Sequence, residues 1–520
     1  MRSASRIVFA FVGVLILAVA VTVAASTPDV ESMRARAAEL VLKQAEMGWG
    51  SWVLGDASDQ ASLYEGYEDL FTKDAIAVTR EAIANTNDPE KAKALTFFKQ
   101  YQESEYLGAQ TAMLADIQND LEAELKVLVD GELIPYHNLD GRLANEKDPR
   151  KRAEMAKEEY RIYDLLNKVV LKRQLDESQR LARELGYANY LEMSASMKAV
   201  DVDKLAASCR AVLDRTQSLY FELFDKVSPI PRTEFRRSDI LRVLGAKRYD
   251  EVYPKDKLLA SMNNVLGGMG VDLHRQKNIL VHDEMLPKKN PRAVCFPIRV
   301  PEDVRLSIKP HGGKDDFSAL YHEMGHAQHF ANSKTNVWEF QHLGSNAVTE
   351  GYAYVFEAVV EDPRFLHEQM DADDAVIKRL KQHSTFARLY MLRRYASKIL
   401  YEVDLFRGAG EPQELYRKHL SAGYGFELTE DEATRALSDV DPFLYSADYY
   451  QAFFLEAMLR KYMTDNFGDP WWKQPAAMQY LKSLWAKGNE LSGDELAEIL
   501  GFTPLDMDLL FTDIQMGMDT

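Results

Sequence analysis

The sequence predicts a mostly α-helical chain with one small β hairpin or sheet, and three observations carry that expectation. Apolar residues recur at helical spacing, with scarce proline, from about Val30 to Ala207 and again after Asn346. Two short β candidates, Ala293 to Val300 and Asp303 to Lys309, stand side by side near the middle. Just after them comes His322-Glu323-Met324-Gly325-His326, an H-E-x-x-H pattern whose histidines share a face when the segment is helical.

Composition bounds the class. Apolar residues are 46% and charged residues 28% of 520, as in an ordinary globular protein able to bury a large core. The formal net charge of -18 argues against a nucleic-acid partner. The first stretch differs from the rest. Arg2 and Arg6 precede an apolar run from Ile7 to Val23, and Val23-Ala24-Ala25 supplies small residues for cleavage. Residues 1–25 therefore read as a secretory signal peptide, and the mature chain is expected to be exported, periplasmic or extracellular. Because the run is long, an uncleaved N-terminal anchor is the alternative. No second hydrophobic span follows, so no other membrane attachment is expected. Cys209 and Cys295 lie far apart and read as separate thiols rather than a disulfide framework. The sequence leaves the oligomeric state open.

Residues 26–520 read as one helical unit, with 26–290 mainly N-terminal helices and 291–520 carrying the candidate site. Tyr64, Tyr67, Leu70 and Phe71 recur at helical spacing, and Leu107, Thr111, Leu114, Ile117 and Leu121 continue the style. Asp148-Pro149 ends one helix and starts another. Lys226 to Lys288 is broken by Pro229, Pro231, Gly245, Pro254 and the Gly267-Gly268 pair. In the hairpin, Pro297 restricts the first strand to an edge, where unpaired backbone groups could hold an extended peptide. His311-Gly312-Gly313 turns the chain into the motif helix, which Asp315 or Asp316 can cap. Further on, Leu380, His383, Ala387, Met391 and Tyr395 share a helical face, and His383 reads as a packing or surface histidine. Trp471, Trp472, Leu481 and Trp485 mark a helical tail.

The motif carries the chemistry. On a helix, His322 and His326 can aim two ring nitrogens at one point, with a spacing that suits tetrahedral zinc. Glu323, about 100° round the helix from His322, falls beside the metal rather than on it. A general base that takes a proton from the attacking water needs that place. A third protein ligand is required, and Glu350 is the best candidate. It lies near the start of a second helical run, Asn346 to Glu361, which Ser345 can cap and Asp362-Pro363 would end. Asp316 or Glu357 could orient the imidazoles.

The set Asp315-Asp316-Phe317, His322-Glu323-Met324-Gly325-His326 and Glu350 resembles the gluzincin metallopeptidases, specifically the angiotensin-converting-enzyme and thimet-oligopeptidase families. The Asp-Asp-Phe lead-in and the motif itself are most similar to the former. The resemblance implies a two-lobed helical metallopeptidase with a deep central cleft, one wall of it formed by the N-terminal helices. It implies zinc on His322, His326 and Glu350, and Glu323 as base. Short peptides are the expected substrates, since a helical channel excludes folded proteins. Endo-oligopeptidase and peptidyl-dipeptidase or carboxypeptidase action both stay open. The alternative is a zinc-binding pseudopeptidase that holds peptides or a partner without cutting.

A second informative stretch runs from Asp441 to Tyr462. Asp441-Pro442 reads as an N-cap followed by proline at the first helical position. Tyr445 and Tyr449 then share a face, and either hydroxyl could donate to the oxyanion formed at a peptide carbonyl; each could equally belong to an aromatic core. The segment resembles the tyrosine-rich helix of the thimet-oligopeptidase family, with Val440 and Ala452 where that family has His and its last Tyr. In the angiotensin-converting-enzyme register, Tyr449 takes the catalytic Tyr place and Asp439 the His place. That family's glycine-rich loop is absent, so dipeptide-releasing specificity is not carried over.

Overall fold

The structure is a computed structural model and describes residues 29–56 and 60–519. The expected signal or anchor segment lies outside the described residues. Among the described residues, no helix is long and apolar enough to cross a membrane.

The N-terminal part is built on α1 (Val30–Trp49) and α2 (Pro89–Glu124), then a hairpin of β1 (Lys126–Val129) and β2 (Glu132–Pro135), then α3 (Pro149–Leu166). Asp88 and Asp148 each precede a proline at the helix start. Their carboxylates accept from Glu90 N at 3.0 Å and Arg150 N at 2.9 Å, satisfying amides the first turn cannot pair. The long α4 (Val202–Val227) follows. A three-stranded sheet comes next, with β3 (Ile279–His282), β4 (Val294–Arg299) and β5 (Asp303–Ser307) in the order β3-β5-β4. The motif helix is α5 (Lys314–Ala331), and α6 (Asn346–Glu357) carries Glu350. Then come α7 (Asp374–Phe406), α8 (Pro412–Tyr424), α9 (Ser446–Phe467) and α10 (Met507–Asp519). The fold is mostly α, with its small sheet beside the motif helix.

Several local expectations are corrected. The stretch read as almost wholly helical contains the β1–β2 hairpin, closed by Asp130 and Gly131 at φ 50° and 83°. Positive φ at both turn residues is what a tight hairpin needs, and Asp-Gly supplies it. Tyr64 to Phe71 is not one helix: a four-residue helix ends at Leu63 and a 3₁₀ turn spans Glu68–Phe71. The β4–β5 hairpin gains β3 as a parallel third strand, and a bulge lies between Pro297 and Arg299. As Pro297 requires, β4 is an edge strand. Gly313, not Asp315 or Asp316, is the N-cap of α5. Asp316 instead reaches back to accept from the backbone N–H groups of His311 and Gly312. Ser345 occupies the N-cap position of α6, but its side chain makes no capping hydrogen bond there. Cys209 and Cys295 are free thiols.

The largest apolar core takes in Val212 and Phe224 of α4, Leu320 and Met324 of α5, Val355 of α6, Leu392 of α7 and Phe454 of α9. It runs across residue 290. Smaller cores lie beneath α1, where Met33, Ala37 and Leu40 meet Phe98, and beneath the β1–β2 hairpin, where Val127 and Ile134 meet Leu166. The N-terminal helix is also tied to the body by charge. Arg34 of α1 grips Glu339 with two parallel hydrogen bonds of 2.6 and 2.9 Å, and Glu339 is fully buried.

Candidate metal centre and active site

The stacking of α5 on α6 and of α6 on α9 places the chemistry. His322 and His326 project from one face of α5, and Glu350 meets them from the first turns of α6. One ligand atom from each lies within 4.8 Å of the others. The two Nε2 atoms are 3.2 Å apart, and Glu350 Oε2 is 3.3 Å from that of His322 and 4.0 Å from that of His326. A circle through the three atoms has a radius of about 2.1 Å, and zinc–nitrogen and zinc–oxygen bonds are about 2.0–2.2 Å. Glu350 Oε2 is buried, and among the described residues no donor is aligned on it. A carboxylate oxygen in that position is satisfied by a cation. The donor set therefore fits a small divalent metal.

Helix contact sets this spacing. A Cβ on Gly325 would lie 2.7 Å from Ala353 Cα and 3.0 Å from Tyr352 O, so only glycine lets the two backbones approach this closely. Gly325→Ala is expected to push α5 and α6 apart. The cost should be about 1–3 kcal/mol from overpacking, together with weaker metal binding, because α6 carries Glu350. Thermal denaturation and a metal titration read both effects. Wild-type values in both would show that the helices have slack.

The ring nitrogens turned away from the metal position are also held. Glu357 Oε2 lies 3.0 Å from His322 Nδ1, and Thr349 Oγ1 lies 2.9 Å from His326 Nδ1. Of the two orienting groups expected, Glu357 touches a ligand, whereas Asp316 is engaged in the turn before α5. Burial works against a charged His322, but the carboxylates of Glu350 and Glu357 outweigh it and raise its pKa to about 10. Burial and the neighbouring His322 push His326 far down. The two carboxylates thus favour positive charge at this point.

Glu323 leaves the ligand cluster and faces β4, where its Oε2 accepts from Cys295 N at 2.7 Å. An edge strand has amides to spare, and this one locks the carboxylate in place. Burial pushes the Glu323 carboxyl above the usual carboxylate range, against the pull of His322 and the Cys295 N–H. A cavity of about 430 Å³ opens over His322, Glu323 and Glu357, with Asp315, Asp316 and Ser318 on its wall. Beyond Glu357 a second pocket of about 260 Å³ is lined by Tyr354, Met391, Tyr395 and Phe453. A larger cavity, about 1390 Å³, lies between α4 and α8, and no motif residue lines it.

Tyr445 and Tyr449 stand next to each other, rings edge to face at 5.0 Å, and Tyr449 stacks on Tyr395 at 5.2 Å. Burial raises both phenol pKa values, and the Glu350 carboxylate adds to the rise in each. Their helix starts later than expected. Asp441-Pro442 opens a 3₁₀ turn, Phe443 and Leu444 take φ of 51° and 54°, and α9 begins at Ser446. The Asp441 carboxylate is drawn away by Lys398 Nζ at 2.6 Å and by the Ser446 hydroxyl. Asp439 is bound by Arg394 at 2.6 Å and by the Tyr416 hydroxyl at 2.7 Å. Burial works against its charge, but Arg394, Lys398 and Arg435 outweigh it and hold Asp439 well below the usual carboxylate range, so it is an acceptor and not a donor. His383 is a packing histidine, with Nε2 3.0 Å from Val243 O.

Sequence reasoning missed Thr349 and Tyr354. Tyr354 sits one helical turn after Glu350, and its ring centroid is 5.4 Å from that of His322. The i, i+4 spacing from Glu350 was a usable signal.

No family model matches the chain, and no curated protein matches it. Among solved structures, a crystal structure from Bacillus anthracis str. Ames, of a protein provisionally named oligoendopeptidase F, is similar. The TM-score is 0.63, over 94% of this chain and 90% of that chain, at 14% sequence identity. The likeness spans nearly the whole of both chains and defines the class of fold: a helical architecture with the small sheet beside the motif helix.

Proposed function

We propose that this chain is a zinc-dependent peptidase of the gluzincin type, cutting short peptides in the cavity over His322 and Glu323. The observation that carries the reading is the donor triangle of His322, His326 and Glu350, with the Glu323 carboxylate held beside it by the Cys295 amide. A zinc ion on those three residues would supply the Lewis acidity that polarises a carbonyl and activates water. Glu323 takes the proton of the attacking water and passes it to the leaving amine. Tyr445 or Tyr449 donates to the oxyanion, and Asp439 cannot. The similarity in fold to a protein named as an oligoendopeptidase supports the peptidase class.

The test is to express the full chain, measure its zinc, and profile cleavage of a peptide library by mass spectrometry. One zinc per chain and chelator-sensitive cleavage are expected, and the cut positions read endo- against exopeptidase action. Zinc bound without cleavage would favour the second reading, a pseudopeptidase that only holds peptides. That reading is supported by Asp439, which takes the His place in the angiotensin-converting-enzyme register and is a carboxylate bound by Arg394.

The tyrosines should divide unequally. Whichever hydroxyl faces the oxyanion should cost roughly 2.7–4 kcal/mol in the barrier when replaced by Phe, and the other substitution should change little. Steady-state kinetics of Tyr445→Phe and Tyr449→Phe check this. Equal, small effects would remove both from the mechanism.

Export with loss of about 25 residues is proposed from Arg2, Arg6 and the apolar run that follows. N-terminal sequencing of the expressed protein decides it, and an intact Met1 in the cytosol would rule it out.

A further inference from the structure

We propose that His329 and Thr349 form a one-way hydrogen-bond relay that fixes the tautomer of His326, leaving its Nε2 bare toward the metal position. The proposal rests on the metal centre described under the proposed function and adds the means by which one ligand is set.

The relay starts at a group with no choice. Gly488 O can only accept, and it lies 3.1 Å from His329 Nε2, so that nitrogen carries the hydrogen. His329 is fully buried, and burial lowers its pKa to about 4, so the ring is neutral and holds one hydrogen only. Its Nδ1 is therefore an acceptor. Thr349 Oγ1 is 3.4 Å from that nitrogen and is placed to donate its hydrogen there. A lone pair of the same hydroxyl then faces His326 Nδ1 at 2.9 Å, and that nitrogen must be N–H. A neutral imidazole with hydrogen on Nδ1 has a bare Nε2. In His326 that Nε2 is the atom 3.2 Å from His322 Nε2, inside the donor triangle.

The anchor is rigid. Gly488 has φ 60°, and a Cβ there would meet Phe340 O at 2.3 Å. The next residue locks the loop, with Asn489 N donating to Phe340 O at 2.7 Å. The two imidazole ligands are thus set by different devices. A carboxylate, Glu357, orients His322 and adds negative charge. A neutral chain that ends on a backbone carbonyl orients His326 and adds none. His329 and Thr349 are positioning residues, since they reach the metal site only through His326.

The test uses the full chain. ¹⁵N-histidine NMR of the metal-free wild type should show His326 with hydrogen on Nδ1 and His329 with hydrogen on Nε2. The opposite tautomer at either ring overturns the relay, and this measurement needs no variant. Thr349→Val removes the hydroxyl at nearly constant shape and should weaken zinc binding about 10–100-fold, read by competition with a chromophoric chelator. Thr349→Ser should restore affinity to within a few-fold. Wild-type affinity in Thr349→Val, or failure of the serine to rescue, would overturn the proposal. If the wild type binds no zinc at all, the reading of function fails, while the metal-free tautomers still decide the relay.

Discussion

Glu323→Gln is expected to bind zinc and fold like the wild type, yet hydrolyse peptides slower by a factor of about 10² to 10⁴, the size of a general-base contribution. The physical case is local. Glu323 is held by a hydrogen bond from Cys295 N to Oε2 at 2.7 Å. A glutamine oxygen can accept that bond at the same place, with almost the same volume, so position is kept. What is lost is the ability to take a proton. The loss should appear in kcat as well as kcat/KM, because the interaction is made only as the reaction proceeds. Single-turnover kinetics, with zinc content measured on the same sample, separate the two effects. Unchanged activity in Glu323→Gln would place the base elsewhere and show that the motif had been misread.

Glu350→Ala is expected to abolish stoichiometric zinc binding and, with it, hydrolysis. Two imidazoles leave the site short of one ligand and of negative charge. The loss should exceed the roughly 10–100-fold cost of removing an outer partner such as Thr349. The fold should survive, because the core packed between α5 and α6, with Leu320, Met324 and Val355, is left intact. Metal analysis after dialysis, alongside a thermal melt of the metal-free protein, checks both halves. A variant that keeps one zinc at wild-type affinity would remove Glu350 from the ligand set.

Much of the fold and part of the site were legible because they depend on short-range period. His322, Glu323 and His326 are four residues apart at most, and helical geometry alone settles which of them share a face. Glu350 was readable because it opens a second helical run. The β4–β5 hairpin was readable from two adjacent β-rich runs, and Pro297 even marked the edge. The parallel strand β3 was not, because its four residues, Ile279–His282, pair with a segment more than twenty residues later. Nor were Thr349 and His329. Each is an ordinary helical residue until α5 and α6 pack, and the contact at Gly325 and Ala353 that packs them is a property of the pair. The Asp130-Gly131 turn was a local signal that went unread amid strongly helical neighbours.

The clasp between Arg34 and Glu339 bears on how the chain can be trimmed. Glu339 is fully buried, and both its oxygens are met by that one guanidinium. Cutting the chain beyond Arg34 would strand a bare carboxylate inside the body, at a cost of about 3–5 kcal/mol. That is a large share of a typical domain's whole stability. Any maturation of an exported form therefore has a hard limit on its C-terminal side: processing near residue 25 leaves the clasp whole, while a cut only ten residues further on destroys it.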